Sequence, residues 1–433
     1  MGKALITNRI YLEGLTKTQY DAIVDTLTYK LPKAFNPNAN KYNRSIPVEV
    51  IRNYKLLPKG ILAIPQPRED LIPAGFEIID RRIDTSVDFP EPIYELYDNQ
   101  KVIYDQVDGN CIINAVPGWG KTFTGLHIAK KLGRKTLIIV HTLFLRDQWV
   151  DSIRNLLGIE PGIISSGKVD YDPPITVSNI QTLSKHLTKL HKEFGLVIND
   201  ECHHCPASTF TSTINSFHSK FKIGLSATLQ RKDNKQVLFR DAFGSKVLVA
   251  KSENIMKPSV QIIESNFYTD ATLGWSDRVT KLCNDLNYRK FIVDIAKIYK
   301  DKGHSLLILG DRTEFLYAVG ELLGDEAIVI TGQTKDRECI VKDIISGKYK
   351  YTVASTKIFS EGISVNILSA LILTGPINND SLLEQIIGRI QRNFDGKLDP
   401  VIIDINFCGY ADRVQNESRL GFYMRKGWDI QTT

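Results

Sequence analysis

Two patterns of hydrophobic and polar residues divide the chain. From about residue 93 onward, short aliphatic runs alternate with longer segments whose apolar positions recur every three or four residues, which predicts parallel strands joined by helices. A helix is predicted over Leu143–Leu157, ended by Gly158. The predicted strands fall into two sets, namely 111–113, 137–140, 175–177, 196–198 and 223–225, and then 306–309, 327–330, 351–354, 370–373 and 401–403. The sequence therefore predicts two α/β lobes, with their junction in the weakly patterned segment 250–285.

The first part of the chain is patterned differently. Prolines interrupt it, strand-like runs such as Gly60–Ile64 are short, and one amphipathic helix is predicted over Lys17–Leu27. These features favour a small α+β domain, followed by an acidic, proline-bearing linker over 84–92. The predicted domains are 1–88, 89–255 and 256–433.

Composition narrows the class of protein. With 433 residues and 42 % hydrophobic content, the chain can bury several cores. The six scattered cysteines are typical of reduced thiols, and no apolar run approaches the roughly 18 residues of a membrane span. We expect a cytoplasmic protein without a membrane partner, in the host-cell cytoplasm if it is viral. The net charge of +6 permits a nucleic-acid partner without requiring one.

Basic residues recur among tyrosines in the N-terminal 88 residues. Two interpretations stay open, an ordinary solvated surface and a nucleic-acid contact face, because interleaved basic and aromatic residues are a weak indication of nucleic-acid binding.

A glycine-rich segment, Ala115–Thr122, follows a predicted strand and opens a predicted helix. Gly118 and Gly120 allow the backbone N–H groups to face phosphate oxygens, and the helix adds the positive end of its dipole. Lys121 would reach the β- and γ-phosphates, and Thr122 would bind Mg²⁺. We therefore predict a site for ATP and Mg²⁺. Its nucleotide-binding residues are Pro117, Gly118, Trp119, Gly120, Lys121 and Thr122.

Two adjacent carboxylates follow the predicted strand 196–198. Ligands bind at the carboxyl ends of parallel strands, so we expect Asp200 to hold Mg²⁺ and Glu201 to orient and activate the attacking water. The next four residues, Cys202–Cys205, could instead bind zinc or act in redox chemistry. That alternative is weak because four consecutive residues do not easily close a tetrahedron.

Two further segments are candidates for coupling and catalysis. Ser226–Thr228 follows the strand 223–225, where its hydroxyl groups could hydrogen-bond the acidic loop. Gln385 lies on a helix predicted to begin near Ser381, and Arg389 and Arg392 would share one face of that helix. Two guanidiniums in the cleft between the lobes would clamp the γ-phosphate in the transition state, although a plain basic helix surface has the same pattern.

In this order, these segments resemble the motifs of superfamily 2 helicases. Motif I corresponds to Ala115–Thr122, motif II to Asp200–His203, motif III to Ser226–Thr228, motif V to Ser355–Ser364 and motif VI to Gln385–Arg392. The segment Thr136–Trp149 is similar to motif Ia, and 96–100 is similar to the Q motif. The similarity is strongest to phage UvsW-type branch-migration helicases and to the XPB group.

The resemblance implies a fold and a set of roles. It implies two tandem RecA-like parallel-sheet lobes behind the small N-terminal α+β domain. By resemblance, Gln100 would read adenine and Gly362 would contact the nucleotide. His203, Ser226 and Thr228 would couple the nucleotide site to nucleic acid, and Gln385, Arg389 and Arg392 would act in catalysis with Lys121 and Glu201.

The function implied by the resemblance is an ATP-dependent 3′-to-5′ DNA helicase or translocase, monomeric, acting on forked or branched DNA in replication, recombination or repair. An RNA-directed or transcript-release ATPase of the same superfamily is the first alternative. A DNA-binding module that ATP switches without translocation is a second, and a zinc-binding structural protein is a third.

Overall fold

The computed structural model describes residues 2–32, 48–202, 212–227, 229, 235, 237–251, 255–334, 337–361, 365–377 and 379–433. The chain divides into two compact units, Met1–Lys251 and Ser252–Thr433. The first unit contains the N-terminal region together with the first lobe.

The N-terminal region is built on a small mixed sheet. Its elements are β1 (Lys3–Ile6), β2 (Arg9–Glu13), α1 (Lys17–Thr26), β3 (Thr28–Pro32), β4 (Val48–Arg52), β5 (Lys55–Leu56), β6 (Leu62–Pro65) and β7 (Glu77–Asp80). The five-stranded sheet has the order β5-β6-β2-β1-β7, and β3 pairs with β4 alone. Helix α1 begins at a capping box, in which the Thr16 hydroxyl accepts from Gln19 N and the Gln19 side chain accepts from Thr16 N. Its buried Ile23 packs against the aliphatic face of the sheet.

The first lobe is a seven-stranded parallel sheet with the order β10-β11-β9-β12-β13-β8-β14. Its strands are β8 (Cys111–Asn114), β9 (Thr136–Val140), β10 (Gly162–Ile164), β11 (Ile175–Asn179), β12 (Leu196–Asn199), β13 (Phe221–Ser226) and β14 (Val247–Val249). The helices are α2 (Asp98–Gln106), α3 (Lys121–Leu132), α4 (Leu143–Leu157), α5 (Ile180–Leu183), α6 (Leu187–Leu190) and α7 (Val237–Phe243). The central strands are buried on both faces by separate hydrophobic clusters, which explains their continuous aliphatic runs.

The second unit is also a seven-stranded parallel sheet, with the order β17-β18-β16-β19-β20-β15-β21. Its strands are β15 (Ser259–Glu264), β16 (Leu306–Gly310), β17 (Ala327–Ile330), β18 (Tyr351–Ser355), β19 (Ala370–Leu373), β20 (Val401–Asn406) and β21 (Asp429–Thr432). The helices are α8 (Trp275–Asn284), α9 (Leu286–Asp301), α10 (Thr313–Leu323), α11 (Arg337–Ile345), α12 (Thr356–Glu361), α13 (Asp380–Ile390) and α14 (Tyr410–Arg425). A buried ion pair joins Arg419 Nε to Asp404 Oδ2 at 2.8 Å and fixes α14 on β20.

The predicted fold class is confirmed, with two parallel-sheet lobes of RecA-like type and a small N-terminal domain. All ten predicted strands are present. Within the weakly patterned segment 250–285, for which no strand was predicted, β15 pairs with β20 and β21 inside the second sheet. No helix in the described ranges is long and apolar enough to cross a membrane.

Candidate active site at the carboxyl edge of the first sheet

The glycine-rich segment forms a tight loop between β8 and α3. Gly118 and Gly120 have φ of +87° and +97°, a backbone region that side chains disfavour. A Cβ atom at Gly120 would also lie 2.4 Å from Gln100 Nε2. The loop therefore needs glycine at position 120 for two reasons. The free N–H groups at the start of α3 make this turn a site for an anion.

The ammonium group of Lys121 lies across this loop. It is buried, donates to the carbonyl oxygen of Ala115 at 3.0 Å, and lies 3.5 Å from Glu201 Oε1. A phosphate bound in the loop would take the place of these internal partners. The cation is thus held beside the predicted general base, in a partly dry site where electrostatic interactions are strong.

Gln100 supports the loop from behind. Its amide Nε2 donates to the carbonyl oxygen of Trp119 at 2.8 Å, and its Oε1 accepts from Tyr97 N at 3.1 Å. The amide therefore ties the start of α2 to the phosphate loop. Reading of adenine by Gln100 stays a prediction. The Trp119 ring packs into the lobe core, and its backbone belongs to the loop.

The two carboxylates follow β12 as predicted. Asp200 N donates to Ile139 O at 2.9 Å, and Glu201 N donates to Asp200 Oδ1 at 2.9 Å. Glu201 has φ of +45°, which is strained for a residue with a side chain. This turn directs the Glu201 carboxylate toward Lys121 and away from the strand direction.

Asp200 is buried beneath the loop. Burial, and then the charge of Glu201, raises the pKa of Asp200, whereas the indole N–H of Trp149 and the charge of Lys121 act in the opposite direction. Trp149 Nε1 donates to Asp200 Oδ2 at 2.8 Å. The indole N–H from α4 therefore orients the carboxylate and, together with Lys121 and the Glu201 N–H, stabilises its anionic form.

Trp149 is the functional residue that the sequence did not reveal. Its ring is buried and packs on α3, where a Cβ at Gly125 would lie 3.1 Å from the ring. In the sequence Trp149 is the last residue of the segment similar to motif Ia. A tryptophan on an amphipathic helix is predicted to be an ordinary residue of the hydrophobic core. The only signal was that a buried indole N–H requires an acceptor.

The end of β13 contacts both loops of the site. Ala115 N donates to Ser226 O at 2.9 Å, and Ala227 N donates to Glu201 Oε2 at 3.4 Å. The segment Ser226–Ala227 therefore touches the phosphate loop and the predicted base, as a coupling element requires. Thr228 lies outside the described residues, as do His203 and Gly362.

In the second unit, Gln385 is buried on α13. The helix ends at Ile390, so Arg392 lies beyond it, where it forms an isolated antiparallel bridge with Ile255. The prediction that both arginines lie on one helix was wrong, because the helix ends before Arg392. They are nevertheless neighbours, since burial and then the charge of Arg389 lower the pKa of Arg392 to about 9.

The weak metal alternative at Cys202–Cys205 gains no support from the described part. Cys202 is a buried, reduced thiol within the hydrophobic core. The other three residues of that segment lie outside the described residues. By contrast, the Thr122 hydroxyl and the Asp200 carboxylate are oxygen donors, which Mg²⁺ prefers when it is bound together with substrate phosphates.

Comparisons with known proteins place this geometry among helicases. Residues 88–231 match the family "Type III restriction enzyme, res subunit", and residues 289–394 match the "Helicase conserved C-terminal domain". "Probable helicase D10" of Escherichia phage T5 is 41 % identical over 99 % of this chain and 96 % of its own length.

Two more distant relatives have named activities. "DNA 3′-5′ translocase XPB2" of Sulfurisphaera tokodaii is 25 % identical over 70 % of this chain and 78 % of its own length. "ATP-dependent DNA helicase uvsW" of Enterobacteria phage T4 is 24 % identical over 77 % of this chain and 73 % of its own length.

Proposed function

Because this chain belongs to the superfamily 2 helicases, we propose that it is a DNA translocase that moves 3′ to 5′ and remodels forked or branched DNA. That membership confirms the resemblance to UvsW-type and XPB helicases, and with it an ATP-dependent enzyme. The observation that carries the ATP hydrolysis in this proposal is the assembled site, in which the Lys121 ammonium lies 3.5 Å from the Glu201 carboxylate under the glycine-rich loop.

The residues of the first unit have distinct chemical roles in this proposal. The loop N–H groups and Lys121 bind the β- and γ-phosphates of ATP. Thr122 and Asp200 would hold Mg²⁺, which neutralises charge on the phosphates. Glu201 accepts a hydrogen bond from the attacking water and orients it in line with the γ-phosphate. The strained backbone of Glu201 fixes the direction of that carboxylate.

Arg389 and Arg392 of the second unit complete the proposed catalytic set, with Gln385 beside them. Arginine fingers stabilise the charge on a transferring phosphoryl group and contribute roughly 10³ to 10⁵ in rate. Burial, and then the charge of Arg389, lowers the pKa of Arg392, and an anion bound beside these guanidiniums would offset both effects. We therefore assign them to hydrolysis.

The DNA substrate and the polarity rest on the two named relatives. One is named a 3′-5′ DNA translocase and the other an ATP-dependent DNA helicase. Fork regression or branch migration, in replication, recombination or repair, is the task we propose for this chain. It would be performed by a monomer in the cytoplasm.

One ATPase panel tests the substrate class. Single-stranded, duplex, forked and four-way DNA are compared with RNA as activators of ATP hydrolysis. Forked and four-way DNA are expected to stimulate most. Stronger stimulation by RNA would overturn the DNA assignment and favour the RNA-directed alternative. A triplex-displacement assay then separates translocation from ATP-switched binding, because only a translocase displaces the third strand.

The proposed roles of the site residues are tested by Lys121→Ala and Glu201→Gln. Both variants should lose ATP turnover, and Glu201→Gln should retain nucleotide binding because it keeps the shape of the side chain. Lys131→Ala is a matched control on the same helix, since Lys131 contacts the Tyr104 and Asp105 carbonyls far from the loop. Full turnover by either site variant would reject the role proposed for that side chain.

A further inference from the structure

A polar groove lies within the first unit, where the N-terminal region meets the first lobe. It has a volume of about 570 Å³ and is lined by Asn8, Arg9, Arg52 and Lys55 on one side and by Ser216 and Lys235 on the other. We propose that this groove binds the phosphodiester backbone of DNA. The inference rests on the proposed DNA-directed function and names a contact outside the helicase motifs.

The charge of the groove is strongly positive. Among its described lining residues Glu49 is the only acid, and Glu49 Oε1 is already paired with Lys235 Nζ at 2.8 Å. Arg9, Arg52 and Lys55 form no ion pair within the described ranges. Three uncompensated cations therefore face one cavity, which is the electrostatic pattern of a phosphate-binding surface.

Two basic side chains at this wall, Arg9 and Lys222, have no anionic partner among the described residues. Arg9 is half-buried, and its Nη1 has no hydrogen-bond partner among the described residues. Burial lowers the pKa of Arg9. Lys222 is fully buried, and its Nζ is also without a partner in that part of the chain. Burial, and then the charges of Arg9 and Arg82, lower the pKa of Lys222 to about 7. Keeping the Arg9 guanidinium charged at this half-buried position costs free energy, which a phosphate in the groove would offset.

The lining favours the backbone of DNA over its bases. No aromatic ring lines the groove among the described residues, and Ile51 and Leu238 are the only apolar side chains there. Base recognition in single strands depends on aromatic stacking, whereas phosphate contacts depend on cations and polar N–H groups. We therefore expect binding that is independent of sequence and strongly dependent on salt.

The groove is held in shape by a buried carboxylate. Asp241 of α7 accepts hydrogen bonds from Arg68 Nη1 at 2.7 Å, Asn53 Nδ2 at 2.6 Å and the Tyr29 hydroxyl at 2.9 Å. These three donors belong to the N-terminal region. A second link joins Asn8 Nδ2 to Asn215 O at 3.1 Å. Both walls are thus fixed before any ligand arrives, which lowers the entropic cost of binding.

The test is equilibrium binding of duplex DNA, measured by fluorescence anisotropy without nucleotide over a range of salt concentrations. In the variant Arg9→Gln, Arg52→Gln, Lys55→Gln, the slope of log affinity against log salt should fall by about 0.9 for each lost phosphate contact. The control Lys3→Gln, Lys17→Gln, Lys59→Gln removes the same charge from the same region outside the groove and should keep the wild-type slope.

A second variant guards against misfolding. Arg52 and Lys55 are exposed, so Arg52→Gln, Lys55→Gln should unfold at the wild-type temperature and still lose about 0.9 of slope for each phosphate contact that these two cations make. If both groove variants keep the wild-type slope of log affinity against log salt, the proposal that this groove binds DNA is overturned. Failure of the wild-type protein itself to bind DNA overturns the proposed function, which is a distinct result.

Discussion

Replacing Trp149 with Phe removes one hydrogen-bond donor from Asp200 and keeps an aromatic ring in the core. The lost bond joins the indole N–H to Asp200 Oδ2 over 2.8 Å. A hydrogen bond to a charged group contributes about 1.5 to 3 kcal/mol, which corresponds to about one to two pKa units. Burial and Glu201 already raise the pKa of Asp200, and Trp149 opposes that rise. The pKa of Asp200 should therefore rise further in Trp149→Phe.

A proton and Mg²⁺ compete for the same carboxylate. Below about pH 5, Trp149→Phe should therefore need about 10- to 100-fold more Mg²⁺ for half-maximal binding of a nucleotide, and at pH 7 about 2- to 10-fold more. The difference in Mg²⁺ requirement between the variant and the wild type should disappear near pH 9, where Asp200 is ionised in both proteins. The assay is a Mg²⁺ titration of a fluorescent ADP analogue at several pH values, which measures binding without hydrolysis.

The pH dependence of the Mg²⁺ requirement distinguishes loss of the hydrogen bond to Asp200 from loss of core packing. A smaller ring leaves a cavity and lowers the free energy of unfolding at every pH. Trp275→Phe, at a half-exposed tryptophan in the second unit, is the control and should leave the Mg²⁺ requirement unchanged. An Mg²⁺ requirement that is unchanged in Trp149→Phe, or raised equally at all pH values, would refute the role of the indole N–H.

Three further outcomes are expected. Burial, and then the charges of Arg9 and Arg82, lower the pKa of Lys222 from 10.5 to about 7. Between these pH values the unfolded chain binds more protons than the folded one, so the free energy of unfolding of the wild type should rise by a few kcal/mol from pH 7 to pH 10. In urea unfolding, Lys222→Met should lack that rise. Asp241→Asn removes one of the two carboxylates paired with the buried Arg68, the other being Asp70, and should lower the free energy of unfolding by about 1.5 to 3 kcal/mol in the same assay. Arg389→Ala should lower kcat by about 10³ or more with little change in ATP affinity, and equal losses of both would argue against a finger.

The strands of both lobes were predictable because burial on two faces requires continuous aliphatic runs, as in Leu306–Gly310. Strand Ser259–Glu264 was missed because its buried residues, Val260 and Ile262, alternate with partly exposed ones. Its place between β20 and β21 depends on pairings across about 140 and 170 residues, which no local pattern encodes.

The site was predictable where chemistry requires particular residue types. Phosphate binding requires glycines and a lysine in a fixed order, so Gly120 and Lys121 were found from the sequence alone. Trp149 was not, because its role depends on a tertiary contact with Asp200. The position of Arg392 beyond its helix likewise depends on a bridge to Ile255, a residue distant in sequence.

The contacts of Asp241 have a consequence for the nucleotide cycle. Turning the N-terminal sheet away from α7 would separate Arg68 from Asp241. Arg68 would keep its ion pair with Asp70, but the buried Asp241 carboxylate would lose its cationic partner, at a cost of about 3 to 5 kcal/mol, several times thermal energy. The N-terminal sheet and the lobe that contains Lys121 should therefore move as one rigid body. Fluorophores placed on α1 and α4 should report one constant separation with ATP, with ADP and without nucleotide, so any change of distance that the nucleotide causes must arise elsewhere in the enzyme.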